Sequence, residues 1–363
     1  MPYPHRKALP PTMPLAIGSY EKLRDLSDAS GLLNLAWTQD ERQLLDADVM
    51  AVVARELTAE VAEELPYAGD YMVKDPYGEG ALGPVVADFF GRPGWTASVT
   101  CGAGVGPLLH ALSLLAAGGT VEVLTDVYPD YPHWVARAGG RTVPFGSGPP
   151  GDVLLLERPA LADDRFAGLD AVRELAADAA RRGALVLVDE SNANYCPARF
   201  SAANLAGDLP NLIVVRGLSK AYGLGGVRLG YCVASAALTS AVRGAVAPLG
   251  ASSLSLRIGR RILGLGDVTS GLRDGIARNK PYVRDLLAAA GVPEPVAAAD
   301  GLPYVLFPRD PQAAVDSLAS RGVQGKLQPV WSARTGALVP VGRLSVPLAS
   351  HRLADLESRL ANR

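Results

Sequence analysis

Short runs of apolar residues alternate with amphipathic stretches through the middle of the chain. The runs are continuous, without the alternation of a half-buried strand, which is typical of strands covered on both faces. They predict strands at 97–100, 121–125, 142–145, 153–157, 184–189, 212–216 and 229–233. Helical periodicity lies between several of them, at 107–117, 131–138 and 169–182. Repeated strand–helix–strand order favours a largely parallel sheet with helices on both sides.

The two ends of the chain have a different pattern. The start is rich in proline, and a helical-looking stretch follows at 46–65. Beyond Gly250 the sequence predicts helices at 252–263, 271–290, 311–321 and from 351 onward, and strands at 304–307 and 343–346. This arrangement indicates a central α/β domain and a smaller α+β domain built from both termini. Ligands of doubly wound sheets bind at the carboxyl ends of the strands, so we expect the functional residues there.

Composition narrows the classes of function. The 363 residues are 48% hydrophobic and 20% charged, which allows a large core and argues against disorder. Lys and Arg number 35 against 37 Asp and Glu, and this balance argues against binding to nucleic acid or to a membrane surface. Cys101, Cys196 and Cys232 are widely spaced, so neither a metal site nor a disulfide framework is expected. The proline-rich start has no apolar core of a secretory signal and no run is long enough to span a bilayer, which predicts a cytoplasmic protein.

The most informative segment reads VVRGLSKAYGLGGVRLGY and spans residues 214–231. Lys220 closely follows an apolar strand, where partial burial lowers the pKa of an amine and lets it form a Schiff base with an aldehyde. Arg228 lies among glycines that let the backbone approach a ligand, and a guanidinium binds phosphate with two hydrogen bonds. A solvated surface lysine is the ordinary interpretation of an isolated Lys, but the combined Ser-Lys and Gly-Gly-x-Arg-x-Gly pattern favours a functional one.

This segment resembles the fold-type I enzymes that use pyridoxal 5′-phosphate (PLP), and it looks most like the class I/II aminotransferases near histidinol-phosphate aminotransferase. The resemblance covers roughly residues 65–350. It implies a large domain with a mostly parallel seven-stranded sheet flanked by helices, plus a small α+β domain from both termini. We expect an N-terminal arm at 1–50, a PLP-binding domain at 51–275 and the small domain at 276–363.

The resemblance assigns roles to residues of the central domain. Lys220 matches the lysine that forms the Schiff base with PLP, and the preceding Ser219 and the more distant Arg228 match residues that bind its phosphate. Asp189 matches the carboxylate that keeps the pyridine nitrogen protonated, which makes the ring an electron sink. Tyr131 matches the aromatic residue that stacks on the ring.

Three further parts of the chain match the family pattern. Gly102, Ala103 and Gly104 form the turn before a helix that the resemblance expects to bind the cofactor phosphate. Tyr77 matches a tyrosine that reaches the cofactor phosphate of the partner subunit, which implies a homodimer with shared active sites. Arg343 matches the arginine that binds the α-carboxylate of the substrate.

The sequence also departs from the family at the contacts to the ring oxygen of PLP. Relatives carry an asparagine where this chain has Leu161 or Ala162, and a tyrosine where it has Asn192. We therefore hypothesise that Asn192 or Asn194 supplies the missing polar contact. The two departures indicate an enzyme of specialised metabolism.

Together these features predict a PLP-dependent enzyme that acts on an α-amino acid through an aldimine on Lys220 and a quinonoid. Transamination, with a keto acid as acceptor, is the favoured reaction. The same fold and cofactor also support cyclisation of the capreomycidine-synthase type, elimination or replacement, and decarboxylation. A non-catalytic PLP-binding sensor is a more distant alternative.

Overall fold

The computed structural model describes residues 31–37, 41–58, 74–148, 150–161 and 165–361. Most of the predicted N-terminal arm lies outside these residues. The helix predicted at 46–65 begins at Val49 and is described as far as Thr58, and the rest of that prediction lies outside the described residues.

The described elements follow one another in the order that the sequence predicts for an α/β protein. The strands are β1 (Leu33–Asn34), β2 (Ser98–Gly102), β3 (Thr120–Val123), β4 (Arg141–Pro144), β5 (Val153–Glu157), β6 (Leu185–Asp189), β7 (Leu212–Gly217), β8 (Gly230–Ala234), β9 (Val296–Ala297), β10 (Tyr304–Phe307), β11 (Val323–Gln324), β12 (Lys326–Ser332) and β13 (Ala337–Ser345). The α-helices are α1 (Val49–Thr58), α2 (Glu79–Phe89), α3 (Val105–Leu112), α4 (Tyr131–Arg137), α5 (Leu169–Arg181), α6 (Thr239–Ala245), α7 (Ser253–Leu263), α8 (Ser270–Ala289), α9 (Pro311–Ala319) and α10 (Ser350–Ala361). Among the helices described, none is long and apolar enough to cross a bilayer.

A seven-stranded sheet forms the centre of the molecule, with the strand order β2-β8-β7-β6-β5-β3-β4. The five strands β7, β6, β5, β3 and β4 are parallel to one another, whereas β8 runs antiparallel to both β2 and β7. The expectation of a mostly parallel seven-stranded sheet is therefore confirmed. The carboxyl ends of β5, β6 and β7 lie side by side, which brings the polar residues after these strands to one edge.

Alternate residues of the central strands enter two separate hydrophobic cores. On β5, Leu154 and Leu156 pack in one core, while Val153 and Leu155 pack in the other. Side chains of a strand point alternately to its two faces, so both faces of this sheet are covered. This explains why the sequence shows continuous apolar runs at these strands.

A smaller antiparallel sheet has the strand order β12-β13-β10-β9, and β1 pairs with β11 beside it. Helices α8, α9 and α10 contribute to a third core around Val305 and Phe307. The chain segments before the central domain and after it both contribute to this region. The predicted boundaries at 50 and 275 remain a prediction, and α8 runs across the second of them.

Candidate active site

A cavity lies where the carboxyl ends of β5, β6 and β7 meet the small sheet. Glu157 is the last residue of β5 and Asp189 the last of β6, and Lys220 follows the end of β7. The cavity is lined by Val127, Tyr128, Pro129, Glu157, Leu161, Asp189, Ser191, Asn192, Lys220, Tyr304, Lys326, Gln328, Pro329, Val330 and Arg343. Predicted residues far apart in the chain, among them Asp189, Lys220 and Arg343, therefore share one cavity.

The turn after β2 and the guanidinium of Arg228 lie against each other. Arg228 Nη2 donates to the Ala103 carbonyl at 2.9 Å, and Nη1 donates to the Gly225 carbonyl at 3.0 Å. Gly104 has φ 109°, and a Cβ there would lie 2.6 Å from Arg228 Nη2. A Cβ on Gly230 would lie 2.6 Å from the Gly104 carbonyl carbon, so both glycines are required for this close approach. The predicted phosphate-binding turn and Arg228 thus come together at the start of α3.

Two carboxyl groups lie side by side on the floor of the cavity. Glu157 and Asp189 are register partners on parallel strands, so their side chains point to the same face of the sheet. Asp189 Oδ1 accepts a hydrogen bond from the Ser191 N–H at 2.8 Å, whereas Glu157 Oε1 accepts one from Asn192 Nδ2 at 3.2 Å. Burial, and then the charge of Asp189, raises the pKa of Glu157 to about 8.

Burial also raises the pKa of Asp189, but hydrogen bonds from Ser191 and the charge of Lys220 oppose that rise. Two adjacent buried carboxyl groups do not both ionise readily, because like charges repel strongly out of water. The more strongly hydrogen-bonded Asp189 therefore ionises before Glu157, which holds its proton to higher pH.

The two asparagines considered for the ring-oxygen contact have different environments. Asn194 is buried, with Nδ2 donating to the Gly217 carbonyl at 2.6 Å and Oδ1 accepting from Arg216 Nη2 at 2.6 Å. Asn192 lines the cavity, donates to Glu157, and has a buried Oδ1 without a hydrogen-bond partner. Of the two, only Asn192 lies where it can contact a ligand in the cavity.

The aromatic residues after β3 divide into one that lines the cavity and one that is fully buried. Tyr128 is part of the cavity wall. Tyr131, the first residue of α4, is 1% exposed and its hydroxyl lacks a hydrogen-bond partner. Burial and the charge of Asp189 raise the pKa of Tyr131, so its ring lies near the predicted cofactor carboxylate. The stacking role of Tyr131 remains a prediction, and Tyr128 is a second aromatic residue at this wall.

The small sheet supplies a cationic wall opposite the carboxyl groups. Lys326 and Arg343 are register partners on β12 and β13, and both line the cavity. The guanidinium of Arg343 lies 4.2 Å from the centre of the Tyr304 ring, and its Nε is buried without a hydrogen-bond partner. Burial, followed by the nearby charge of Arg343, lowers the pKa of Lys326 to about 7. This wall suits an anionic group of a substrate.

Behind the cavity floor, a buried ion network fixes the loops after β5 and β6. Glu190 is completely buried, and its carboxylate accepts from Arg158 Nη1 at 2.9 Å and from Arg216 Nη1 at 2.6 Å. The hydroxyl of Ser201 and the N–H of Ala202 also donate to Glu190. Because Arg158 and Glu190 directly follow Glu157 and Asp189, the network holds both strand ends in place.

Tyr77 lies away from the cavity lining. Its hydroxyl donates to the Arg243 carbonyl at 3.1 Å, and the guanidinium of Arg243 lies 4.9 Å from the Tyr77 ring centre. Its expected contact with a partner subunit remains a prediction.

Sequence reasoning missed Glu157 and the two β12 residues Lys326 and Gln328. Glu157 ends a strand that was predicted with its observed bounds, so its pairing with the strand of Asp189 is the signal that could have identified it. The strand that carries Lys326 and Gln328 was not predicted, because Pro329 interrupts its pattern.

Comparison with known proteins agrees with this arrangement. The chain superposes on an aspartate aminotransferase double mutant from Thermus thermophilus with a TM-score of 0.67 and 19% sequence identity. The superposition covers 99% of each chain. That likeness establishes the fold. Residues 152–324 match the family model for aminotransferase class I and II, and this stretch contains Asp189, Lys220 and Arg228. Over that stretch the chain is similar to class I and II aminotransferases.

Curated relatives match the chain over shorter stretches. An aromatic amino acid aminotransferase of Rhodococcus jostii (strain RHA1) is 30% identical over 152 residues, which is 42% of each chain. A histidinol-phosphate aminotransferase of Legionella pneumophila (strain Paris) is 37% identical over 83 residues, or 23% of this chain and 22% of the relative. The chain thus spans less than half the length of the curated relatives it matches.

Class I/II aminotransferases are PLP-dependent, and the residues of this cavity fit that cofactor. An amine, a carboxylate and an aromatic side chain are present at Lys220, Asp189 and Tyr128. The turn at Gly104 lies so close to the guanidinium of Arg228 that a Cβ there would collide with it, which keeps the turn and this cation together. The unpartnered Oδ1 of Asn192 is a buried acceptor that a donor group of a bound ligand could satisfy.

Proposed function

We propose that this chain is a PLP-dependent enzyme that acts on an α-amino acid, as an aminotransferase of specialised metabolism. The observation that carries the proposal is the shared cavity of Lys220, Asp189 and Arg343. Its amine, carboxylate and guanidinium are the groups needed for a Schiff base, a protonated pyridine and a bound α-carboxylate. Arg228 and the Gly102–Gly104 turn would hold the cofactor phosphate near the start of α3.

PLP supplies an aldehyde for Schiff-base formation and a ring that accepts electrons from the substrate. Lys220 would then donate or accept the proton that leaves or joins the substrate α-carbon, as a general acid and base. Asp189, which ionises before Glu157, would keep the pyridine nitrogen protonated. Arg343, with Lys326 beside it, would bind and orient the substrate carboxylate against Tyr304.

Borohydride reduction tests the covalent part of the proposal. The protein purified with PLP is treated with borohydride, digested and mapped by mass spectrometry. We expect the reduced pyridoxyl group to be found on Lys220. We expect a Lys220→Ala variant to carry no such group. Labelling of a different lysine, or none, would overturn the proposal.

A panel of amino acids and keto acids, with arginine derivatives included, tests the type of reaction. For transamination we expect the amino group to pass to the cofactor and then to the keto acid, as read by absorption and product mass. A product that keeps all its nitrogen would instead indicate cyclisation, and loss of carbon dioxide or of a side-chain group would indicate decarboxylation or elimination. A spectrum that no amino acid perturbs would indicate the non-catalytic sensor.

The proposal extends to assembly and location. We propose a homodimer in which the Tyr77 loop faces the partner's cavity, and sedimentation at several concentrations tests it. A cytoplasmic location agrees with three free, buried cysteines, because a reducing compartment leaves thiols unpaired. Cell fractionation tests the location.

A further inference from the structure

The cavity holds one more carboxyl group than the proposed chemistry requires. Asp189 is the carboxylate assigned to the pyridine nitrogen, and Glu157 lies next to it in register on β5. Glu157 is half-buried and lines the cavity, so its side chain is open to a ligand there. Its amide partner Asn192 is the residue at which the family places a ring-oxygen contact.

Among the described residues, the buried glutamates Glu56, Glu122 and Glu190 each form an ion pair with arginine, whereas the half-buried Glu157 does not. Glu190 is paired with Arg158 and Arg216, and Glu122 accepts two backbone N–H groups and lies 3.2 Å from Arg182. Among the described residues, no arginine forms an ion pair with Glu157, which accepts its hydrogen bond from a neutral amide. The hydrogen bond from Asn192 favours the ionised form, but burial favours the neutral form more strongly.

The charged groups around Glu157 come from every side of the cavity. They are Asp189 on β6, Asp126 after β3, Lys220 after β7, and Lys326 and Arg343 on the small sheet. Asp189 and Asp126 raise the pKa of Glu157, and Lys220 lowers it, but burial has the largest effect. The neutral form therefore persists near neutral pH, which makes the Glu157 O–H a hydrogen-bond donor.

Asn192 orients this donor. Its Nδ2 donates to Oε1 of Glu157, which leaves the other carboxyl oxygen to carry the proton. The unpartnered Oδ1 of Asn192 is an acceptor and cannot itself donate to a ring oxygen. Leu161, in the same cavity wall, has no polar atom to offer in its side chain.

We propose that Glu157, oriented by Asn192, donates a hydrogen bond to the ring oxygen of bound PLP, in place of the amide and phenol that relatives use. This inference rests on the proposed function, because it requires PLP on Lys220. It gives the ring oxygen a contact that depends on pH, since an ionised Glu157 can no longer donate.

The test uses the PLP-loaded protein and the variants Glu157→Gln, Glu157→Leu and, as a matched buried control, Glu122→Gln. Cofactor absorption is recorded against pH, PLP affinity is measured by dialysis, and the carboxylic-acid band is measured by infrared spectroscopy of the cofactor-free protein. Borohydride labelling of Lys220 is run on every sample.

We expect two steps in the absorption titration of the wild-type protein and of Glu122→Gln, one of them from Glu157. Glu157→Gln keeps a neutral donor, so we expect one step and near-normal PLP affinity. At every pH, the absorption spectrum of Glu157→Leu should resemble that of the wild type at high pH. We expect this variant to bind PLP ~10-fold more weakly than the wild type does at neutral pH, the effect of one lost hydrogen bond. Both Glu157 variants should lose a carboxylic-acid band that Glu122→Gln retains.

The two proposals fail in different ways. If Lys220 is labelled in all samples but the Glu157 variants titrate like the wild type, or keep the infrared band, the role of Glu157 is refuted and the proposed function stands. If Lys220 of the wild type is unlabelled, the proposed function fails and the role of Glu157 fails with it.

Discussion

Lys280 offers a sharp test of how this fold uses a buried charge away from the cavity. It lies on α8 with 4% of its surface exposed, and its Nζ lies 2.7–3.1 Å from the carbonyl oxygens of Ala298, Ala299, Asp300 and Leu302. An ammonium has three protons, so one of them is shared between two carbonyls. The side chain therefore organises the whole loop between β9 and β10.

Replacing Lys280 with Met keeps the apolar stem and removes every donor. Each buried acceptor left without a partner costs about 1–3 kcal/mol, and partial entry of water reduces the sum, so we expect a loss of about 2–4 kcal/mol in the free energy of unfolding at pH 7. Urea unfolding, followed by circular dichroism, measures it. The exposed Lys74→Met variant is the control, and we expect it to unfold like the wild type.

The same substitution also changes the pH dependence of stability. Burial lowers the pKa of Lys280 from 10.5 to about 8, against the opposing charge of Asp300. Between these pH values the unfolded chain binds the proton more strongly than the folded one, so this group makes stability rise with pH, by up to about 3 kcal/mol. We expect that contribution to be missing in Lys280→Met. A variant with wild-type stability at pH 7, or with an unchanged slope from pH 8 to 10.5, would refute this account.

Four further outcomes test the site. Arg228→Ala should weaken PLP binding ~10–100-fold, as measured by dialysis, because a charged phosphate partner is lost. Arg343→Ala should raise the Kd for amino acids ~10–100-fold by spectral titration, whereas the exposed Arg309→Ala should not. Because the pKa of Lys326 is about 7, amino-acid affinity should fall as pH rises through 7 in the wild type, and a Lys326→Met variant should lack this dependence. Glu190→Gln should lower unfolding free energy by about 3–5 kcal/mol in urea, since it leaves two buried guanidinium groups without a charge partner.

The strands of the central sheet could be predicted from the sequence, because strands buried on both faces consist of continuous runs of apolar residues. The bounds predicted for β5 agree with the observed ones, and the other large-sheet strands were predicted close to their positions. β12 was not predicted, because Pro329 interrupts its apolar pattern. Its register partner Pro340 interrupts the pattern of β13 in the same way. The two strands form despite the prolines because they pair with each other along their length. A pattern read along one segment of the chain does not show such pairing.

The site was predictable where a residue type and its spacing are both distinctive. Lys220 and Asp189 follow apolar strands, and the structure places both in one cavity. Glu157 was not predicted as a site residue, because a glutamate at the end of a strand is common. Only its position beside Asp189 on the neighbouring strand distinguishes it. The difference between Asn192 and Asn194 is a matter of side-chain direction, which depends on Arg216 and on tertiary packing.

A pair of backbone hydrogen bonds joins two walls of the cavity. Val127 and Trp331 exchange N–H and carbonyl contacts at 3.1 Å in both directions. Their neighbours Tyr128 and Val330 both line the cavity. Any rotation of the small sheet that preserves both hydrogen bonds must keep Val127 and Trp331 together, so Tyr128 and Val330 would stay in register with each other at this corner of the cavity.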